Sequence, residues 1–270
     1  MIVMMRRLIV SMILGGVALA AAGASAEAPD TVLLEELTWT EVRDAVRAGK
    51  TTIIIPAGGT EQNGPHMALG KHNARVKVLA DGIARALGDA LVAPVIAYVP
   101  EGGLTPPTGH MRFPGTITAP DDAFQKVLEF AARSFKQHGF RDIVLLGDHG
   151  STQTGQKAVA ARLNREWAAT PVRVHAIEEY YRTGAVEVPR LLGARGYAAA
   201  ELGRHAGLAD TALMLATDAR LVRRDRLRPG GEAVGVDGDP SRATAELGRP
   251  GAELIVTRTV DAVRRSITHR

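Results

Sequence analysis

Two short runs of branched aliphatic residues, TTIII at 51–55 and IVLL at 143–146, each break off into glycine and ionisable residues. Apolar runs of that length bounded by turn signals read as buried strands. Residues 91–99 and 172–177 read as two more. Between the strands lie segments of helical period. Residues 72–87 carry Val76, Val78, Leu79, Ile83 and Leu87 on a broad apolar face. Residues 121–138 place Phe124, Val127, Leu128, Ala131 and Phe135 together, open on Asp121 and Asp122 after Pro120, and stop at Gly139. Residues 153–167, 206–217 and 252–267 read as further helices. Alternation of this kind predicts an α/β fold with a mostly parallel central sheet. Ligands in such folds bind beyond the carboxyl ends of the strands, so the segments after Ile55 and Leu146 are where function is expected. The stretch 101–120 has no period and is rich in Gly, Pro and Thr; loops that long are usually functional or disordered.

The chain of 270 residues is 46% hydrophobic but only 4% aromatic, which predicts one packed domain whose core rests on Ala, Val, Leu and Ile. With no cysteine, disulfides, thiolate metal sites and a cysteine nucleophile are excluded. Any metal must use His, Asp, Glu or weaker oxygen ligands. The net charge of +4 is modest. The basic residues are scattered apart from one cluster at Arg220, Arg223, Arg224, Arg226 and Arg228. That cluster reads as a solvated face, and without a basic stripe or motif no nucleic-acid partner is expected.

Residues 1–26 read as an export signal. Arg6 and Arg7 form a positive start, 8–21 is apolar, and Ala24-Ser25-Ala26 matches a small-x-small cleavage pattern. The apolar run is short for a membrane span. A single domain over 27–270 is expected, periplasmic or secreted, with no membrane attachment after cleavage.

Three segments carry ionisable residues suited to chemistry. Residues 58–73 form a Gly-rich stretch with Glu61, His66 and His72. Glu61 and His72 meet on one metal if it folds back on itself; otherwise it is a polar loop facing solvent. Residues 145–153 place Asp148, His149 and Ser151 just past a buried strand, where His149 points into the crevice or the segment merely caps the next helix. Residues 203–212 hold His205 and Asp210 near a helix start, where an Asp is also ordinary dipole chemistry.

Together with Gly109-His110-Met111-Arg112-Phe113-Pro114-Gly115-Thr116 and a late segment at 235–240, these stretches resemble, in order, the motifs of the creatininase (creatinine amidohydrolase) family. The resemblance implies a three-layer αβα sandwich, a homo-oligomer, and a site that typically holds two divalent metals and cleaves amide and related C–N bonds. It implies that His205 moves protons, with Asp210 in support, and that His66, His110 and Ser151 line the substrate pocket. The chain departs from the pattern at several positions. Asn63 stands where the family has a His, His72 where it has a bridging Asp, and Ser151 where creatininases proper have a Glu ligand. Gly147 replaces an Asn, and Asp210 a Glu.

A carboxylate can bridge two cations, whereas a neutral imidazole binds one through one nitrogen. The surviving donors, Glu61, His72 and His149, form the ligand set of many catalytic single-metal sites. Zn²⁺ is the expected ion, with Mn²⁺ and Fe²⁺ as alternatives. Asp148 and Asp210 are candidates for extra ligands or for groups that orient a His. The expected activity is metal-dependent hydrolysis of a small amide or lactam, with creatinine itself disfavoured by the lost ligands. The contrasting expectation is a non-catalytic small-molecule-binding protein on an inherited enzyme fold.

Export predicts cleavage after Ala26. N-terminal sequencing of the protein from the periplasmic fraction should read from Glu27. A chain that still starts at Met1 and pellets with membranes would refute it.

Overall fold

The computed structural model describes residues 29–268; the export signal expected at 1–26 and the mature start expected at Glu27 lie outside them. Four strands, β1 (Thr52–Ala57), β2 (Ala90–Val92), β3 (Asp142–Gly147) and β4 (Arg173–Ala176), form one all-parallel sheet in the order β2-β1-β3-β4. The principal helices are α1 (Trp39–Arg47), α2 (Lys71–Leu87), α3 (Asp121–Gln137), α4 (Thr152–Glu166), α8 (Leu208–Asp218) and α9 (Ala245–Thr268). Shorter helical pieces α5 (Glu178–Arg182), α6 (Val188–Gly193) and α7 (Ala199–Leu202) lie between β4 and α8.

Side chains of a strand alternate between faces, so β1 and β3 each feed two cores. Ile53, Ile55, Ile143 and Leu145 pack with Phe124 and Leu128 of α3 and Val159 and Leu163 of α4, and α1 lends Val42 and Val46. Ile54, Val144 and Leu146 pack on the other side with Val76, Leu79 and Ile83 of α2, Leu208 and Leu213 of α8, and Ile255 and Val263 of α9. Helices thus cover both faces of the sheet, in the three-layer αβα arrangement expected. Among the described residues no helix is long and apolar enough to cross a membrane.

Several elements differ from their sequence pattern. The strand expected at 91–99 stops at Val92, because Pro94 offers no N–H to the ladder; contact resumes only as a single bridge between Ala57 and Ile96. The last helix starts at Ala245 rather than 252 and contains Pro250. Gly248 and Gly251 let this turn lie close against its neighbours: a Cβ on Gly248 would stand 1.9 Å from the Ala212 carbonyl oxygen, and one on Gly251 2.9 Å from Val188 Cγ1. Helix α1 was not anticipated, although Thr38 and Glu41 form a complete capping box at its start. Between α5 and α6 the chain widens into a π turn, Thr183–Glu187, whose Gly184 and Ala185 face a cavity.

From β1 the chain turns to one side, through α2 to β2; from β3 it turns to the other, through α4 to β4. The sheet's switch point therefore lies between β1 and β3, which are paired from Thr52↔Asp142 to Ala57↔Gly147. Residues that follow Ala57 and Gly147 emerge side by side at the crevice where such folds bind ligands.

The close α8–α9 packing predicts opposite outcomes for two glycines. Gly248→Ala should destabilise by about 1–3 kcal/mol through overpacking. Gly82→Ala on α2 would meet nothing closer than Val256 Cγ2 at 3.6 Å. It should gain up to about 1 kcal/mol from helix propensity. Chemical denaturation of both variants checks this; equal midpoints would contradict it.

Candidate active site

Glu61 lies four residues beyond β1, and its side chain is 0% exposed. It is the centre on which four imidazoles converge. Oε1 is 2.7 Å from His72 Nε2 and 3.7 Å from His205 Nδ1. Oε2 is 3.1 Å from His110 Nε2 and 3.2 Å from His149 Nε2, yet receives no properly directed hydrogen bond. Burial works to raise the Glu61 carboxyl, but His149, His72 and the Lys71 charge outweigh it and hold the group well below the usual carboxylate range. Burial lowers the imidazoles of His149 and His110, and it takes His205, with help from the Lys71 charge, down to about 4. These three rings are therefore neutral at pH 7.

Two sets of donors could each hold a cation, and they share Glu61. One is Glu61, His72 and His149; the other is Glu61, His110 and His205. Hydrogen bonds distinguish them. His72 sits on the first turn of α2, with Nδ1 2.5 Å from Asp148 Oδ1. Asp148 has no proton to give: burial would raise its carboxyl, but the Arg75 charge and His72 hold it well below the usual range. Nδ1 therefore carries the hydrogen, and Nε2 meets Glu61 with either a second proton or a cation in its place. A carboxylate behind a ligating imidazole is the usual way to orient it. In the second set, Gln62 dictates the tautomers. Its Oε1 accepts from Gly64 N at 2.9 Å, so its amide nitrogen is the donor to the Gly235 carbonyl at 2.9 Å and to His110 Nδ1 at 2.9 Å. The hydrogen of neutral His110 consequently lies on Nε2, facing Glu61. His205 Nε2 donates to the Gln62 carbonyl at 3.0 Å, which leaves the Nδ1 lone pair directed toward Glu61.

Behind the imidazoles runs a buried charge network. Arg75 reaches Asp148 through Nη2 at 2.6 Å and Asp210 through Nη1 at 2.5 Å. Lys71, 1% exposed, donates to Asp210 Oδ2 at 2.6 Å and stands 3.8 Å from Glu61. Tyr180 on α5 donates to Asp148 Oδ2 at 2.6 Å. The whole borders a cavity of about 350 Å³, whose lining also includes Tyr181, Ala185, Pro189, Leu213 and Ile255.

The cavity thus gathers Glu61, His72, His149, His110, His205, Asp148 and Asp210 from separate parts of the chain. It does not gather His66 or Ser151, both expected in the substrate pocket. His66 lies beyond the turn at Gly64 and packs against α8, 3.1 Å from Thr211 Oγ1. Ser151 is behind His149, its Oγ 2.7 Å from Nδ1, where it orients the ring. Asp210 does not hydrogen-bond His205; its oxygens are taken by Lys71, Arg75 and the Ala206 N–H. Asn63 is a brace for the loop, donating to the carbonyls of Glu61 and Ala68. Sequence reasoning passed over Lys71, Arg75 and Tyr180. It also passed over Glu101, whose Oε2 is 3.2 Å from His149 Nε2. Burial and the neighbouring Glu61 charge push Glu101 up to about 9. Arg75 had a usable signal, one turn after His72 on the same helix face.

The sequence profile of the creatininase family (creatinine amidohydrolase) matches residues 35–263. The 3-dehydro-scyllo-inosose hydrolase of Thermotoga maritima is 28% identical over 178 residues, 60% of this chain; the match spans about half of that protein, 53%. The mycofactocin precursor peptide peptidase of Mycolicibacterium smegmatis is 28% identical over 225 residues, 79% of this chain and 84% of that one. Among solved structures, a manganese form of creatininase superposes with a TM-score of 0.72 at 25% identity, and a Zn–Zn form with 0.71 at 26%. Each covers 88% of this chain and 99% of its own.

Breaking the Asp148 network should be expensive. Asp148→Asn leaves the buried Arg75 short of its main counter-charge, which should cost on the order of 3–5 kcal/mol. The sign with pH follows from the depressed carboxyl. Its contribution is complete above an unfolded pKa of about 3.9 and disappears only as pH falls through the much lower folded value. The variant should therefore lose stability at pH 7 and show a shallower loss in acid; an unchanged unfolding midpoint at pH 7 would contradict the network's role.

Proposed function

The chain belongs to the creatininase family, and from that premise we propose that it is a metal-dependent hydrolase acting on the C–N bond of a small amide or lactam. The observation that carries the proposal is the orientation of His72: Asp148 holds its Nδ1 while its Nε2 and the Nε2 of His149 converge on a buried Glu61 with an unsatisfied oxygen. Buried charges are paired or coordinate metals, and this donor set suits Zn²⁺, with Mn²⁺ and Fe²⁺ as alternatives. One cation per chain is proposed, because the two donor sets share the single carboxylate of Glu61, and Asn63 is turned away to the carbonyls of its own loop. A cation at Glu61, His72 and His149 would polarise a carbonyl and activate water near neutral pH.

The remaining residues divide the work of binding and proton movement. His205 presents its Nδ1 lone pair to the cavity and is neutral at pH 7, so it can accept a proton there and return it to the leaving nitrogen. His110 presents an N–H and can donate a hydrogen bond to a substrate oxygen. Lys71 and Arg75 hold positive charge beneath these groups and keep Asp148 and Asp210 ionised. The cavity volume of about 350 Å³ suits a small molecule or the end of a short peptide. Relatives named for a cyclic inosose and for a precursor peptide fit that range. We place the activity outside the cytoplasmic membrane on the strength of the leader-like residues 1–26.

Elemental analysis of the purified protein should return one transition-metal equivalent per chain, lost in His72→Ala. His205→Gln should keep the metal and lower turnover about a hundredfold on any hit from a screen of lactams, small amides and short peptides. Two equivalents, or metal retained in His72→Ala, would contradict the site. No metal and no turnover would instead favour a binding protein on the same fold.

A further inference from the structure

Glu101 has no part in the roles assigned above. It opens the long segment that leads to α3, and its N–H, donated to Thr118 Oγ1 at 3.0 Å, ties one end of that segment to the other. Its side chain is fully buried, 0% exposed, and points at the cation cradle. Oε2 stands 3.2 Å from His149 Nε2, the same nitrogen that faces Glu61. Oε1 lies against Gly59, where a Cβ would stand 2.6 Å from it. The φ of Gly59, +150°, is also one that other residues rarely adopt. Neither oxygen of Glu101 has a hydrogen-bond partner.

Two carboxylates therefore converge on one imidazole nitrogen, and three of their four oxygens receive no hydrogen bond. Structural carboxylates are buried differently in this same protein: Asp148 accepts from His72, Arg75 and Tyr180, and Asp210 from Lys71, Arg75 and a backbone N–H. A side chain held in place on its backbone, buried beside a second carboxylate and left without a properly directed hydrogen bond is shaped for a cation rather than for packing.

We propose that Glu101 is a ligand of the cation held at Glu61, His72 and His149. The proposal rests on the reading of that site as a metal centre. It completes a set of two carboxylates and two imidazoles, in which the carboxylate charges balance a divalent ion. Glu101 brings the second carboxylate from a different loop, beside the His149 nitrogen that faces Glu61. The added oxygen donor also widens the choice of ion toward Mn²⁺ and Fe²⁺, which accept more oxygen ligands than a thiolate or imidazole site provides.

Calorimetric titration of the metal-free protein with Zn²⁺ and Mn²⁺, beside thermal melts with and without metal, tests this. Glu101→Gln keeps the size and removes the charge. It should weaken binding at least tenfold, more for Mn²⁺ than for Zn²⁺, without lowering the melting temperature of the metal-free protein, and the Mn²⁺ electron paramagnetic resonance spectrum should change. If that variant does not fold, Glu101→Asp carries the same test, since it keeps the charge but withdraws the reach. Wild-type protein that binds one equivalent, with either variant binding as tightly, would overturn the role of Glu101 alone. Wild-type protein that binds no metal would overturn the metal reading itself.

Discussion

The buried Asp148 carboxylate is the point on which the site's geometry depends. It stands at the end of β3 and accepts from His72 and Arg75 of α2 and from Tyr180 of α5. Two helices are thereby fixed to one strand end by charge-assisted hydrogen bonds, which are stronger and more directional than neutral ones. Arg75 passes the constraint on to Asp210 at the start of α8, and Lys71 closes the circuit back toward Glu61. A network this buried stabilises only when every member is satisfied. Here the structural carboxylates are satisfied, while Glu61 and Glu101 retain buried oxygens without a hydrogen bond. That division separates the scaffold from the groups left free to bind.

The fold was readable where local pattern and burial coincide. TTIII and IVLL are strands β1 and β3, and the helical period from 72 to 87 is α2 within one residue at its start. The positions of Glu61 and His149 at the crevice were readable because they follow strand ends, where parallel-sheet proteins place their ligands, whereas His72 joined them through the family resemblance. What could not be read depended on tertiary direction. The orientation of a loop residue after a glycine turn is not encoded in spacing, so His66 and Ser151 were placed in the pocket although one faces α8 and the other braces His149. Glu101 lies in a segment recognisable as functional only by its length, and its meeting with His149 spans 48 positions, 149 − 101. The pairing of Asp210 with two buried cations rather than with His205 required Lys71 and Arg75 to turn inward, against the usual preference of such residues for the surface.

The substitutions that set this chain apart from its family acquire a physical meaning in the structure. Asn63 leaves the cavity and spends its amide on the loop's own carbonyls. His72 turns its ring between Asp148 and Glu61, a position an Asp side chain could not bridge in the same way. Gln62, meanwhile, fixes the tautomers of two neighbouring imidazoles, that of His110 with its side-chain amide and that of His205 with its backbone carbonyl. The outcome is a site centred on one glutamate, with His72 oriented by Asp148, His149 by Ser151, and His110 and His205 by Gln62. Members of one fold family differ in chemistry through such changes at strand ends.

Anomalous diffraction from crystals of the purified protein, recorded across the absorption edge of whichever metal it carries, tests the central claim most directly. One peak is expected, within bonding distance of Glu61, His72 Nε2 and His149 Nε2. Two peaks sharing Glu61, with the second on His110 and His205, would contradict it, as would a single peak that His72 does not touch.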